Sequence, residues 1–315
     1  MAIVETKNKS DVINKFMKLN PASNALITSI MVIFAAISLL PLLLVVMISF
    51  STTESIAVKG YSWFPLGVTF EAYRTLLYTG RQVWQSYLVN IAYTSVGTIL
   101  SLFVMSMFAY CLVQRRFTTR RFWLLYVFFT MLFSGGLVPT FMVNVSVLRL
   151  YDTFWILFLP GLVSAYNLII LRTFVRTSIP DSLYESAFID GANDFRIYCQ
   201  IVLPLMKPGL ATVGLFGIVA RWNNWFTGLL YIENPRLVPL QTMLTRIQNS
   251  VEFIRQNAGD PSMPMTPELQ AEIEAMPSES LRMTIAVISV IPILFAYPFF
   301  QKYFITGLTI GSVKE

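Results

Sequence analysis

Apolar residues in this chain run in long blocks, separated by polar segments that carry nearly all the charge. Six blocks approach or exceed the roughly 20 mostly apolar residues that a helix needs to cross a hydrocarbon core about 30 Å thick. They are about Ala25–Phe50, Leu88–Leu112, Trp123–Val147, Thr153–Val175, Leu210–Ile232 and Met283–Phe300. The pattern predicts an all-α, polytopic membrane protein with six transmembrane helices spanning residues 25–300, between a polar tail of residues 1–24 and a second tail of residues 301–315. Pro160 in the fourth block and Pro292 and Pro298 in the sixth fit this reading, because neighbouring helices and water satisfy the carbonyls that proline frees. The first block is too long for a signal-peptide core and lacks a small-residue cleavage site, so it reads as a retained helix.

Within the third block, Ser134-Gly135-Gly136-Leu137-Val138-Pro139 predicts a kink or a local opening near mid-membrane. Lining of a pathway and close packing on a neighbour explain such a break equally well. Two polar segments are long: Ser51–Tyr87, with Tyr61, Trp63, Phe64 and Tyr73 suited to the membrane interface, and Thr245–Leu281, which is acidic. The latter belongs to an extracytoplasmic loop of residues 233–282, in which Pro267–Glu274 has the spacing of a short amphipathic helix.

Composition agrees with the blocks: 55% of residues are hydrophobic and 13% charged, about half the charge of a soluble domain. With the N-terminus inside, fourteen lysines and arginines fall on the cytoplasmic side and eight outside, and the compact turn Arg115-Arg116-Phe117-Thr118-Thr119-Arg120-Arg121 decides the orientation. Both termini are then cytoplasmic. The net charge of +6 follows from this topology and from anionic headgroups rather than from nucleic acid.

Absences narrow the chemistry. All 17 acidic residues lie in the polar segments and the chain has no histidine, which weakens proton or sodium coupling. No Gly-x-x-x-x-Gly-Lys-Ser/Thr loop is present to cradle a nucleotide, and histidine-dependent catalytic or metal sites have no material. No cofactor is expected on this chain, and the energy for transport has to come from another polypeptide.

About 34 residues separate the fourth and fifth blocks, too many for a simple turn. Ser182-Leu183-Tyr184-Glu185 reads as a capping box, and Tyr184, Ala187 and Phe188 share one helical face. Gly191 stands where a left-handed cap would stop the helix. Asn193 can cap a second helix running to Val202, ended by Pro204. The product is a short helix-turn-helix with an apolar face, within a cytoplasmic loop of residues 177–209.

Glu185-Ser186-Ala187, three residues, Gly191, nine residues, then Ile201, Leu203 and Pro204 resembles the E-A-A-x3-G-x9-I-x-L-P loop of ABC importer permeases, with Ser186 in place of the second alanine. Trp222-Asn223-Asn224-Trp225 and Tyr297-Pro298-Phe299-Phe300 through Gly311-Ser312-Val313-Lys314 are similar to the second permease of maltose-type carbohydrate importers. The Ser134–Thr140 run resembles the oligosaccharide subgroup. The resemblance implies a second, different permease, two ATPases that bind the ATP and magnesium, and an extracytoplasmic sugar-binding protein, in the cell membrane of a prokaryote. It also implies that Glu185, Ser186, Ala187, Gly191, Ile201, Leu203 and Pro204 couple the chain to the ATPase. Glu185 has two readings, as a helix cap or as a docking charge.

Sugar contacts call for aromatic faces with amide and hydroxyl partners. Trp222, Asn223, Asn224 and Trp225 offer them, although the same residues suit interfacial anchoring. Asn144 and Asn167 are further polar candidates within spans. Arg221 costs about 2.5–3.5 kcal/mol at a helix centre, so it has to face a partner or an aqueous cavity. A permease for peptides or amino acids would share the coupling loop, and a channel or ion-coupled carrier would need no ATPase.

Overall fold

The computed structural model of the protein describes residues 20–65, 67–257 and 278–311. Among them all regular elements are helices, apart from an isolated bridge between Ser51 and Val68. Three sequence expectations, the polar tail up to residue 19, the amphipathic helix at Pro267–Glu274 and the final Ser312-Val313-Lys314, lie outside the described residues.

The chain divides into two compact units. The first contains α1 (Pro21–Ser49) and α2 (Thr53–Lys59). Pro21 at the first helical position costs no hydrogen bond, because that N–H would be unpaired in any residue. The helix is apolar on every side and buries only Ile48 and Ser49, as a helix surrounded by lipid can. At its end Ser49 Oγ lies 2.8 Å from the Tyr73 hydroxyl, and Phe50 stacks on the Tyr73 ring with centroids 5.1 Å apart. The Thr52 hydroxyl accepts the Ser55 N–H and so caps α2. Tyr61, Trp63 and Phe64 are exposed, while Tyr73 belongs to this small aromatic cluster.

The second unit is built on α4 (Arg81–Val113), which follows α3 (Glu71–Thr79). Against α4 pack α5 (Arg120–Leu132), α7 (Ala165–Ser178) and α10 (Lys207–Trp222). Met105, Leu112, Leu168, Leu171, Val175 and Met206 form the core at one end. Tyr93, Ile156, Phe158 and Ile232 form a second core at the other.

Three of the six expected spans are not single helices. The third is α5 followed by α6 (Leu137–Val147), with the chain turning 117° between them at the predicted glycine pair. The fourth begins with one 3-10 turn at Phe154–Leu157 and becomes α-helical only at Ala165, where Ser164 accepts the Asn167 N–H. Pro160 and Gly161 occupy the irregular stretch between, which removes one donor and lowers helix propensity. The fifth stops at Trp222, and after Asn223–Trp225 the short α11 (Phe226–Tyr231) continues.

α12 (Leu240–Asn257) occupies the start of the segment expected to be a polar loop, and α13 (Glu279–Gly311) encloses the sixth block with Pro292 and Pro298 inside it.

Candidate functional site

The segment between the fourth and fifth blocks forms α8 (Asp181–Ile189) and α9 (Asp194–Leu205). The expected capping box does not form. Pro180, extended at φ −64° and ψ 145°, precedes the helix, so α8 starts at Asp181 and Ser182 already lies inside the first turn. The Asp181 carboxylate favours that N-terminus through the helix dipole. It also pairs with Arg115 at 2.5 Å, a contact worth little because both side chains are exposed. Glu185 is therefore no cap. It is exposed, and lines a groove with Arg115, Arg116, Phe188 and Ile189, where the Arg116 guanidinium lies 3.7 Å over the Phe188 ring. The Ser186 hydroxyl donates back to the Ser182 carbonyl at 2.9 Å.

The end of α8 follows the expectation closely. Gly191 has φ +74°, a conformation that an L side chain adopts only with strain. Ala192 N–H donates to the Ala187 carbonyl at 2.9 Å and Gly191 N–H to Phe188 at 3.1 Å, the two bonds of a Schellman motif. Asn193 Oδ1 then accepts the Arg196 N–H at 2.8 Å and starts α9. Tyr184 and Ala187 face inward and are buried with Ile197, Tyr198 and Val202 in the core of the second unit. Outward face Leu183, Ile189 (87% exposed) and Phe195 (64% exposed).

Pro204 does not end α9, which runs to Leu205. A wide π turn at Tyr198–Val202 precedes the proline, with the Leu203 N–H reaching back to the Tyr198 carbonyl. Such a turn already interrupts the i to i−4 ladder, so the donor missing from Pro204 does not break the helix. The chain then bends 75° into α10 at Met206, which is fully buried. Ile201 and Leu203 are half-buried against the same core, and Pro204 is exposed. The expected separate helix-turn-helix is thus joined to the fifth span without an intervening loop.

A cavity of about 420 Å³ lies between α4, α6, α7 and α10 in the second unit. Of the candidates, Asn144, Asn167, Arg221 and Asn224 line it and Trp222, Asn223 and Trp225 do not. Asn144 is buried and donates to the Tyr231 hydroxyl at 3.0 Å. Arg221 reaches the carbonyls of Gly217 and Gly161, both at 3.4 Å, which gives a charge on an apolar helix the polar surroundings it requires. Asn224 Oδ1 accepts the Thr227 N–H at 3.1 Å and so caps α11.

Trp222 is 3% exposed, donates its indole N–H to the Ser289 carbonyl at 3.0 Å and meets Tyr87 edge to face. It anchors α13 to α10. Asn223 folds back onto the Val219 carbonyl, and Trp225 is exposed with Phe226 at its edge.

Residues 103–310, about two thirds of the chain, match the family described as "Binding-protein-dependent transport system inner membrane component". The chain belongs to this family. The permease is the membrane subunit of an ABC importer, a transport component and not an enzyme. It is 38% identical over 298 residues to the polygalacturonan/rhamnogalacturonan transport system permease protein YtcP of Bacillus subtilis (strain 168), covering 94% of this chain and 99% of that one. It is 25% identical over 305 residues to the arabinooligosaccharides transport system permease protein AraQ of Halalkalibacterium halodurans, again across 94% and 99% of the two chains. Among solved structures it is similar to a chain of a bacterial ABC transporter involved in the import of the acidic polysaccharide alginate. The TM-score is 0.76 and the identity 28%, over 91% of the permease and 99% of that chain.

Sequence reasoning missed the polar wall of the cavity. Ser86, Asn90, Thr94, Thr98 and Ser101 are buried along one side of α4, and Thr98 and Ser101 open into the cavity. The signal was available: polar side chains recur every three or four residues within an apolar block, the spacing of one helical face.

Proposed function

We propose that the permease forms half of the membrane pathway of an importer for sugars, oligosaccharides first among them. A second, different permease supplies the other half, two ATPases bind ATP and magnesium, and an extracytoplasmic binding protein delivers the substrate. In this reading six spans cross the cytoplasmic membrane of a prokaryote with both termini inside. Residues 177–209 then face the ATPases and residues 233–282 the outside.

The observation that carries the coupling role is the rigid elbow of α8 and α9. Its inner face is locked into the core, its outer face presents Leu183, Ile189, Phe195 and Glu185, and α9 passes directly into α10. A push on the outer face therefore reaches the cavity wall through packed helix rather than through a slack loop. Ala187, buried inward, serves this locking, while Glu185 and Ser186 lie on the docking side. Sugars as substrate are supported by the names of the relatives, and by the amide, hydroxyl and ring groups that Asn144, Asn167, Thr140 and Tyr231 bring to the cavity.

The test is uptake by the complete complex in proteoliposomes. Gly191→Asp is expected to abolish ATP-driven oligosaccharide uptake while membrane insertion and the yield of folded permease persist. Wild-type uptake by that variant would remove the coupling role, and a preference for peptides over glycans by the cognate binding protein would overturn the substrate class.

A further inference from the structure

At the end of the second unit where α4, α5 and α7 meet α8, five arginines line a cavity of about 840 Å³: Arg115, Arg120, Arg121, Arg172 and Arg176. Among the described residues only one carboxylate, Asp181, lines it with them. Arg115 pairs with that carboxylate, and the other four have no ion-pair partner among the described residues. Arg172 Nε is buried and has no acceptor among the described residues. Arg120 and Arg121 also begin α5, where the helix dipole adds to the positive potential. Like charges gathered this closely, with a donor left unsatisfied, call for an anion with several acceptor oxygens. The planar fork of arginine matches phosphate.

The surroundings say which phosphate. Phe122, Leu125, Tyr126 and Phe129 follow the two arginines directly on α5 and are exposed. Trp123 stands among them, edge to face with Phe108 of α4. Arginines at a helix end followed by exposed aromatic and apolar side chains reproduce the layering of a membrane interface, headgroup above and acyl chain below. A free phosphate would use the arginines and leave the apolar flank without a role.

We propose that this cavity seats the headgroup of an anionic glycerophospholipid, its phosphate held by Arg120, Arg172 and Arg176 and its acyl chains lying along α5. The site adjoins the first residue of α8, so an occupied cavity braces the base of the elbow. It is distinct from the cavity that contains Arg221.

The proposal is tested on the complete complex, stripped of lipid in detergent and titrated with phosphatidylglycerol, phosphatidylcholine or inorganic phosphate. Native mass spectrometry reads bound lipid and thermal melting reads stabilisation. Phosphatidylglycerol is expected to bind about tenfold more tightly than phosphatidylcholine. Arg120→Gln with Arg176→Gln should remove that preference, and Arg176→Lys should retain part of it. Arg196→Gln with Lys207→Gln deletes the same charge outside the cavity and should leave the preference intact. An equal loss in this control would show a general charge effect and overturn the site. Stabilisation by inorganic phosphate equal to that by phosphatidylglycerol would overturn the lipid as the source. Should the double variant fail to fold, Arg176→Lys and Arg176→Gln decide alone, and an unchanged preference in both sinks the proposal.

Discussion

Among the described residues two span-like helix pairs of the permease are sharply bent, and the two bends are held by different physics. Between α5 and α6 the chain turns 117° through Phe133, Ser134, Gly135 and Gly136, all exposed, with open space where a side chain on either glycine would project. That bend rests on backbone geometry: Gly136 at φ +84°, its N–H donated to the Ser134 hydroxyl, its carbonyl accepting the Thr140 hydroxyl at 2.7 Å. Between α9 and α10 the turn is 75°, and its inner side is clamped against the core. Met206 is fully buried, and a Cβ on Gly209 would come within 2.9 Å of the Phe174 ring. A bend held by packing changes angle only if its neighbours move, whereas a bend held by one turn changes angle through a few dihedrals. The clamped bend joins the proposed docking elbow to the cavity, where motion has to be transmitted. The open bend belongs to the helix that carries Asn144 into the cavity wall, where angle has to be adjustable.

The strongest way to break this comparison is to loosen the clamp. Met206→Ala removes a fully buried side chain and is expected to cost about 2–5 kcal/mol, read as a lowered melting temperature of the assembled complex in detergent. ATP hydrolysis by the complex should then lose its dependence on substrate before the protein loses its fold. A melting temperature equal to that of the wild type would mean that packing does not hold this bend.

At the open bend the expected cost is smaller and depends on a single dihedral. Gly136→Ala forces an L side chain to a positive φ and should cost about 1 kcal/mol with no steric clash. Gly135→Ala, one residue earlier and free of that φ, should be neutral or slightly stabilising because it restricts the unfolded chain. Equal effects at the two positions, measured side by side, would refute a turn held by Gly136.

How much of this was legible depended on whether the signal was local. The break at Gly135-Gly136 and the stop at Gly191 could be read from sequence because a glycine with nothing around it answers only to its own φ and ψ. The clamped bend could not. Pro204 looked like a helix end, but the helix continues through it after the π turn at Tyr198–Val202, where Tyr198 is buried with its hydroxyl 2.6 Å from Ser106 Oγ of α4. At the cavity, Arg221 and Asn144 stood out as polar residues in apolar blocks and do line it. Trp222 carried the same local signal but faces α13, because which side of a helix meets a neighbour is decided by elements more than sixty residues away.

The smallest predicted effect tests the core that clamps the second bend. Burial pushes the Tyr184 phenol up to about 12 from its ordinary 10.0, with the Asp181 charge adding to the shift. The folded protein therefore holds that proton more tightly than the unfolded chain does. The resulting stability is fully present below pH 10 and is lost as the pH climbs from 10 toward 12. The Tyr184 hydroxyl is buried without a hydrogen-bond partner among the described residues, so Tyr184→Phe removes a desolvated polar group and little packing. Near neutral pH its melting temperature should equal or slightly exceed that of the wild type. Above pH 10 it should fall less steeply. A loss at neutral pH as large as that of Met206→Ala would show that the hydroxyl supports the elbow directly, and the clamp would then be polar rather than a matter of close packing alone.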